Sequence, residues 1–165
     1  MRSAVVVDIG GAYLNADMNT GVIVHMRLDS AMSKLMMKHD SGYERYIDNK
    51  GCIVVRLDKA LYGCVESAVL WYENLSSTLA ELGHIKNEYE ACVYNRKSNG
   101  VQCTVVVHVD DLIITCVDMG MIDSLCDGLE SKYGEITRKD GPVLNYLGMV
   151  FNLSQRGEVR MSMEG

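Results

Sequence analysis

Two short apolar runs in this sequence end on acids. Residues 4–8 read Ala-Val-Val-Val-Asp and residues 105–114 read Val-Val-Val-His-Val-Asp-Asp-Leu-Ile-Ile, so Asp8, Asp110 and Asp111 interrupt chains of aliphatic side chains. A carboxylate leaves water at a cost unless a charge or hydrogen bonds compensate it. Asp110 and Asp111 by themselves fit an exposed turn, a place that Asp favours. Asp8 changes the balance: it also closes a run of valines, and a strand ending there belongs in the same sheet, where such ends converge. Converging carboxylates suit Mg2+, a hard cation often shared between one or two carboxylates and substrate phosphates. Two such ions about 4 Å apart activate an attacking hydroxyl and stabilise the leaving oxygen of an in-line displacement. That chemistry is phosphoryl transfer.

These acids need elements to position them. The strand at 4–8 is soon followed by Gly10 and Gly11, so Asp8 is delivered to a sheet edge. Residues 22–26 read as a second short strand and residues 30–38 as a short helix bounded by a turn at 40–42. From Ser67 the positions Val69, Tyr72, Leu75, Leu79 and Leu82 recur at helical spacing, with Ser67 as N-cap and Gly83 as stop. The same spacing places Trp71 and Tyr72 in the core. A second helix spans residues 119–133, capped by Asp118, with Ile122, Leu125, Leu129 and Tyr133 on one face. Residues 92–96, the turn 98–100 and residues 101–109 read as strand, turn and strand, with 112–116 a further strand beyond the Asp110-Asp111 turn. Residues 146–153 and 158–161 form a closing hairpin. The predicted architecture is an α+β sandwich, an antiparallel sheet packed against two main helices.

The chain has 165 residues, 48% of them hydrophobic, enough for one domain with a real core, and no repeat or linker divides it. The longest apolar stretch, residues 105–116, is broken by His108, Asp110 and Asp111 and is too short to span a bilayer, and the first residues lack the apolar core of a secretory signal. Six cysteines occur without a C-x-x-C pair or neighbouring histidines, which reads as reduced, buried, intracellular thiols. A net charge of −6 argues against a self-sufficient nucleic-acid binder, because phosphate contacts come mainly from Lys and Arg. Divalent cations on the acids, or basic surfaces on other parts of a longer protein, would remove that objection.

Four blocks in order resemble the reverse transcriptases of Ty1/copia-type retrotransposons. Asp8-Ile9-Gly10-Gly11-Ala12-Tyr13-Leu14-Asn15 is similar to polymerase motif A, with an aromatic five positions after the acid. Leu61-Tyr62-Gly63-Cys64-Val65-Glu66-Ser67, continued by Trp71-Tyr72, is similar to the Leu-Tyr-Gly and Trp-Tyr block. His108-Val109-Asp110-Asp111 resembles the Tyr-Val-Asp-Asp box, and Tyr146-Leu147-Gly148-Met149 the Leu-Gly element near the primer grip. The resemblance implies a polymerase palm that performs RNA-directed DNA synthesis. It implies that Asp8 and Asp110, with Asp111 and the carbonyl of Ile9, hold Mg2+ or Mn2+. It further implies that Tyr13 is a steric gate against ribonucleotides, with Gly11, Ala12, Gly63 and Glu66 beside the incoming nucleotide. Ser67, His108, Val109, Leu147, Gly148 and Met149 are implied to lie along template and primer.

Three positions depart from the family: Glu66 stands for a Gln, Ala68 for a Pro and His108 for a Tyr. The resemblance covers nearly the whole chain yet implies that fingers, most of a thumb, an RNase H domain and an integrase lie elsewhere in a parent polyprotein. The expected partners are an RNA or DNA template-primer and deoxynucleoside triphosphates, with no membrane, and the expected location is intracellular, in a cytoplasmic virus-like particle or the nucleus. Two other functions stay open: an inactive remnant palm, and another palm-type phosphoryl transferase such as a nucleotidyl cyclase, which the motif-B block disfavours.

Overall fold

Ala4, Val5, Val6 and Val7 are all buried, which makes their strand one covered on both faces. The computed structural model describes residues 2–19 and 21–163. In chain order these form β1 (Ser3–Asp8), a 3-10 turn (Ala12–Asn15), β2 (His25–Leu28), α1 (Ser30–His39), a second 3-10 turn (Ser41–Tyr46) and β3 (Ile53–Arg56). There follow α2 (Ser67–Glu81), β4 (Ile85–Lys86), β5 (Val93–Ser98), β6 (Val101–His108), β7 (Asp111–Cys116), α3 (Met119–Tyr133), β8 (Thr137–Asp140), β9 (Val143–Tyr146), β10 (Met149–Asn152) and β11 (Arg160–Met163).

Six strands make one antiparallel sheet in the order β4-β5-β6-β7-β1-β8. Side chains alternate across it. Val5, Val7 and Ile9 from the β1 segment, with Leu112 and Ile114 from β7, meet Trp71, Leu75 and Leu79 of α2 and Ile122, Leu125 and Leu129 of α3. The opposite face carries Ala4 and Val6 against Leu144 and Tyr146 of β9, with Ile113 and Phe151 beside them. The expected α+β sandwich is therefore present, with a small β11-β10-β9 sheet added on the face away from the helices.

Several expectations are displaced, each for a local reason. Ser67 does not cap α2: Glu66 occupies the N-cap position without a side-chain cap bond, and the buried Ser67 hydroxyl turns back to the preceding loop. The strand expected at 22–26 lies at His25–Leu28, and Val22 and Ile23 are exposed. Its place is set by Ser33 of α1, which donates to the Leu28 carbonyl and accepts from the N–H of Ile53 on β3, clipping helix to ribbon. The predicted strand over 146–153 breaks at Leu147 and Gly148, both at positive φ, into β9 and β10. The helices at 30–38 and 119–133 form as expected, capped by Asp29 and Asp118. Cys103, Cys116 and Cys126 are buried, whereas Cys52, Cys64 and Cys92 are half-buried, and all six are free thiols.

His84, just after α2, is 2% exposed and neither ring nitrogen has a hydrogen-bond partner. Burial, then the charge of Arg96, pulls its pKa down to about 4. The fold therefore holds the neutral ring, while the unfolded chain protonates near pH 6.5. Stability is fully present above that value and falls as the pH drops toward 4, by on the order of 3 kcal/mol. Replacing His84 with Leu should flatten the difference between urea unfolding at pH 7 and pH 5; an unchanged pH slope would refute this account.

Candidate active site

The β6–β7 connection has only two residues. His108 pairs with Asp111, leaving Val109 and Asp110 as the turn. Val109 has φ 56°. A two-residue hairpin takes positive φ at its first central residue where Gly is favoured, and a β-branched side chain there is strained. Two donors hold the strained loop. The indole N–H of Trp71 donates to the Val109 carbonyl at 2.7 Å, and the N–H of Ile9 donates to the Asp110 carbonyl at 3.0 Å. Trp71 is itself locked, 1% exposed, with its ring edge-on to Tyr133 of α3 at 5.2 Å. The Tyr133 hydroxyl donates to Asn74, and it shares a hydrogen bond with Thr78.

The Ile9–Asp110 bond also determines how the acids face each other. Asp8 pairs with Asp111 across β1 and β7, and a bond from the residue after one to the residue before the other marks a pair that exchanges no hydrogen bonds of its own. In such pairs the Cα atoms come to about 4.5 Å and the side chains are closest. Asp8 shares strand parity with Ala4 and Val6, and Asp111 with Ile113, so both carboxylates stand on the face away from the helices. His108, Asp111, Asp8 and Thr137 form one row across four strands, with Asp110 at its tip.

The three carboxylates are partly exposed, and among the described residues none forms an ion pair. Burial, then the charges of Asp110 and Asp8, pushes the Asp111 carboxyl above its ordinary range, against weaker pulls from His108 and Lys139. Among the described residues no three His, Cys, Asp or Glu side chains converge tightly enough to hold a metal ion unaided. The donor set nevertheless fits a hard divalent cation that keeps water and leans on substrate oxygens: hard carboxylates, mutually repelling, and paired with no cation among the described residues. Arg138 is tied to Asp123 and Asp140, both at 2.8 Å, whereas Lys139 shares the face of Val6 and Ile113.

Other expected site residues divide between cleft and core. Gly11, at φ 65°, opens the 3-10 turn that carries Tyr13, which is half-buried against the core. Ala12 and Ile9 have their side chains fully in the core, leaving only backbone for the cleft. The Ser67 hydroxyl is 0% exposed and engaged by both backbone groups of Leu61, so it faces no template directly. Gly63, Glu66 and His108 are exposed, Leu147 and Gly148 form the exposed β9–β10 turn, and Met149 is half-buried. Ala68 lines a mostly apolar cavity of about 220 Å³ with Tyr13, Trp71 and Val109.

Two tyrosines absent from the expected set belong to this region. Tyr62 lies with its ring centroid 4.4 Å from that of Tyr13. Its hydroxyl is pushed above the usual phenol range by partial burial, then by Asp110, Tyr13 and Asp8. Tyr146, 6% exposed with an unpartnered hydroxyl, is pushed up to about 12 by burial and by nearby Asp111. Both stand inside recognisable sequence blocks, yet their facing depends on turns no spacing rule displays. Replacing Trp71 with Phe should lower unfolding stability by about 1–3 kcal/mol by stranding the Val109 carbonyl. It should also speed amide exchange in the hairpin, and equal urea midpoints for variant and wild type would dismiss the strut.

The family described as reverse transcriptase (RNA-dependent DNA polymerase) matches residues 2–164. The chain is 26% identical over 161 residues to a transposon Ty5-1 protein of Saccharomyces cerevisiae, covering 96% of this chain and 46% of that protein. It is 27% identical over 145 residues to the retrovirus-related Pol polyprotein from transposon TNT 1-94 of Nicotiana tabacum, covering 87% of this chain and 10% of the polyprotein. The chain thus spans less than half the length of either relative. Its fold is similar to apo telomerase from Candida tropicalis truncated from the C-terminal domain, at 13% identity and a TM-score of 0.52, covering 99% of this chain and 35% of that one. A second apo telomerase structure from the same organism gives 11% identity and a TM-score of 0.50, covering 96% and 32%. With four motif blocks in order, a matching profile across nearly all its length and a shared polymerase-palm fold, this chain belongs to the reverse transcriptase (RNA-dependent DNA polymerase) family.

Proposed function

We propose that this chain is the catalytic palm of an RNA-directed DNA polymerase from a Ty1/copia-type retrotransposon. The observation that carries the reading is the closest-approach pairing of Asp8 with Asp111, with Asp110 held beside them by the Ile9 bond. In this reading the primer 3′-hydroxyl attacks the α-phosphate of a deoxynucleoside triphosphate and pyrophosphate leaves. Asp8, Asp110 and Asp111 would hold Mg2+ or Mn2+, which when bound neutralises phosphate charge and makes the hydroxyl a better nucleophile. The chain's own contribution is positioning: a rigid sheet end, a turn fixed through two carbonyls, and a half-buried Tyr13 on which the sugar rests, leaving no room for a 2′-hydroxyl. Lys139, on the face of the acids, is the basic group best placed to meet the leaving pyrophosphate, because Arg138 is engaged elsewhere.

The template-primer would run past His108 and the Leu147-Gly148 turn, both exposed. With 22 acidic against 16 basic side chains, most phosphate contacts would come from other regions of a longer polyprotein, such as fingers and thumb, alongside its RNase H and integrase. Work in a cytoplasmic virus-like particle or the nucleus follows from this reading. Among the described residues no helix is long and apolar enough to cross a membrane.

In the full-length protein that carries this chain, Asp110→Asn should reduce primer extension on an RNA template by at least about a hundredfold. Retained extension would remove the assignment. Tyr13→Val should increase ribonucleotide use relative to deoxyribonucleotides by roughly tenfold or more, read from competing single-nucleotide incorporation. Unchanged discrimination would free Tyr13 from the role of gate.

A further inference from the structure

Tyr146 carries a polar atom that its surroundings do not use. It closes β9, where Leu144 and Tyr146 face inward, and only 6% of it is exposed. It is buried in a cluster with Ala4, Val6 and Leu144, and its ring stands edge-on to Phe151 with centroids 6.4 Å apart. Those neighbours are apolar, so a phenylalanine would fill the site as well. The Tyr146 hydroxyl has no hydrogen-bond partner. A buried donor left unpaired costs free energy, and a folded chain that keeps one calls for an explanation.

Strand register shows what lies beyond the ring. Val6 and Ile113 are cross-strand partners on the sheet face that Tyr146 covers, and the next pair along the same face is Asp8 with Asp111. One pleat repeat, about 7 Å, separates the two rows. Of the three acids, Asp111 is the one whose charge acts on the hydroxyl, after burial and ahead of the Cys92 thiol. Both effects hold the proton on, so the group at neutral pH is a donor. The backbone that carries the ring is fixed. Tyr146 and Met149 pair across a two-residue turn made of Leu147, at φ 51°, and Gly148, at φ 75°. A leucine at positive φ is strained, and such strain persists where the surroundings over-determine the backbone.

We propose that Tyr146 is a positioning residue for Asp111: its hydroxyl donates to the Asp111 carboxylate when the acids take up a divalent cation, and so holds that carboxylate in its ligating posture. The role rests on the polymerase reading above. It concerns the protein side of the acids, not the exposed Leu147-Gly148 turn assigned to the primer. Metal-binding carboxylates commonly accept such a bond from a neighbouring group, which fixes their orientation. A donor unpaired in the empty site and paired in the loaded one favours the loaded form and destabilises the empty one.

The test uses the full-length protein that carries this chain, bound to an RNA template, a dideoxy-terminated DNA primer and the next matching deoxynucleotide. Wild type is compared with Tyr146→Phe, Asp111→Asn, the double variant and Asp110→Asn. Electron paramagnetic resonance reads Mn2+ affinity, and the signal that Asp110→Asn removes is the one assigned to the acids. Fluorescence anisotropy reads primer affinity, and thermal unfolding reads stability without metal. Tyr146→Phe should weaken Mn2+ binding roughly tenfold. It should leave primer affinity unchanged and keep or raise the metal-free Tm, because an unpaired hydroxyl has been removed. In the Asp111→Asn background the same change should add nothing, since its route to the metal is gone. A metal-free Tm that falls in Tyr146→Phe overturns the role in favour of a structural one, and weakened primer binding with Mn2+ affinity intact gives the residue to the primer instead. Equal Mn2+ affinity in Tyr146→Phe and wild type, with binding lost in Asp110→Asn, refutes Tyr146 and leaves the polymerase standing. Mn2+ binding that Asp110→Asn leaves whole removes both readings.

Discussion

The structure of the site depends on two carbonyl groups in a two-residue turn. Val109 adopts a backbone conformation that costs a β-branched residue about 1–3 kcal/mol, and such strain persists only where the surroundings over-determine it. Here the surroundings are a tryptophan from α2 and a main-chain amide from β1, each donating to one of the two turn residues. Neither donor belongs to the hairpin. The turn therefore reports on the packing of the whole molecule: α2 must seat Trp71, α3 must supply Tyr133 as its backing, and β1 must lie beside β7 in one register. A slip of one residue in that register would send Asp8 to the helix face and bring Val7 opposite the acids.

That dependence explains how a sheet end tolerates three neighbouring carboxylates. Their repulsion opposes folding, and it adds to burial in pushing the Asp111 carboxyl above its ordinary pKa range. The opposing term comes from the helix side, where Val7, Leu112 and Ile114 are essentially without solvent contact under α2 and α3. Apolar burial on one face thus stabilises a charged arrangement on the other, and the pleat, which separates adjacent residues onto opposite faces, keeps the two apart. The same division accounts for Ala12 and Ile9, whose side chains complete the core although their neighbours Asp8 and Tyr13 remain partly exposed.

Helices were legible where apolar spacing and a local cap coincide. Asp29 and Asp118 accept from N–H groups two or three residues on, an interaction contained within a few residues of chain. Ser67 has the composition of a cap, but its hydroxyl answers to Leu61, which lies earlier in the chain and whose path is a tertiary matter. Strands read well when central and apolar, as β1, β6 and β7 are. β8 is Thr-Arg-Lys-Asp, an edge strand recruited by the free side of β1, and its composition carries no strand signal. The break between β9 and β10 was hidden because Leu147, a residue that rarely takes positive φ, begins it.

The sequence by itself determined the family and singled out three candidate acids, because carboxylates that end apolar strands are visible as type and spacing, and because four motif blocks keep their order along the chain. It also determined the two main helices and the apolar center of the sheet, whose periodicities are local. Only the tertiary structure decided which faces meet. It made Asp8 and Asp111 the close pair, turned Ser67 inward, and brought Tyr62 and Tyr146 to the acids from segments distant in the chain. Such juxtapositions arise from register and from turns held by remote donors, and a linear pattern contains neither.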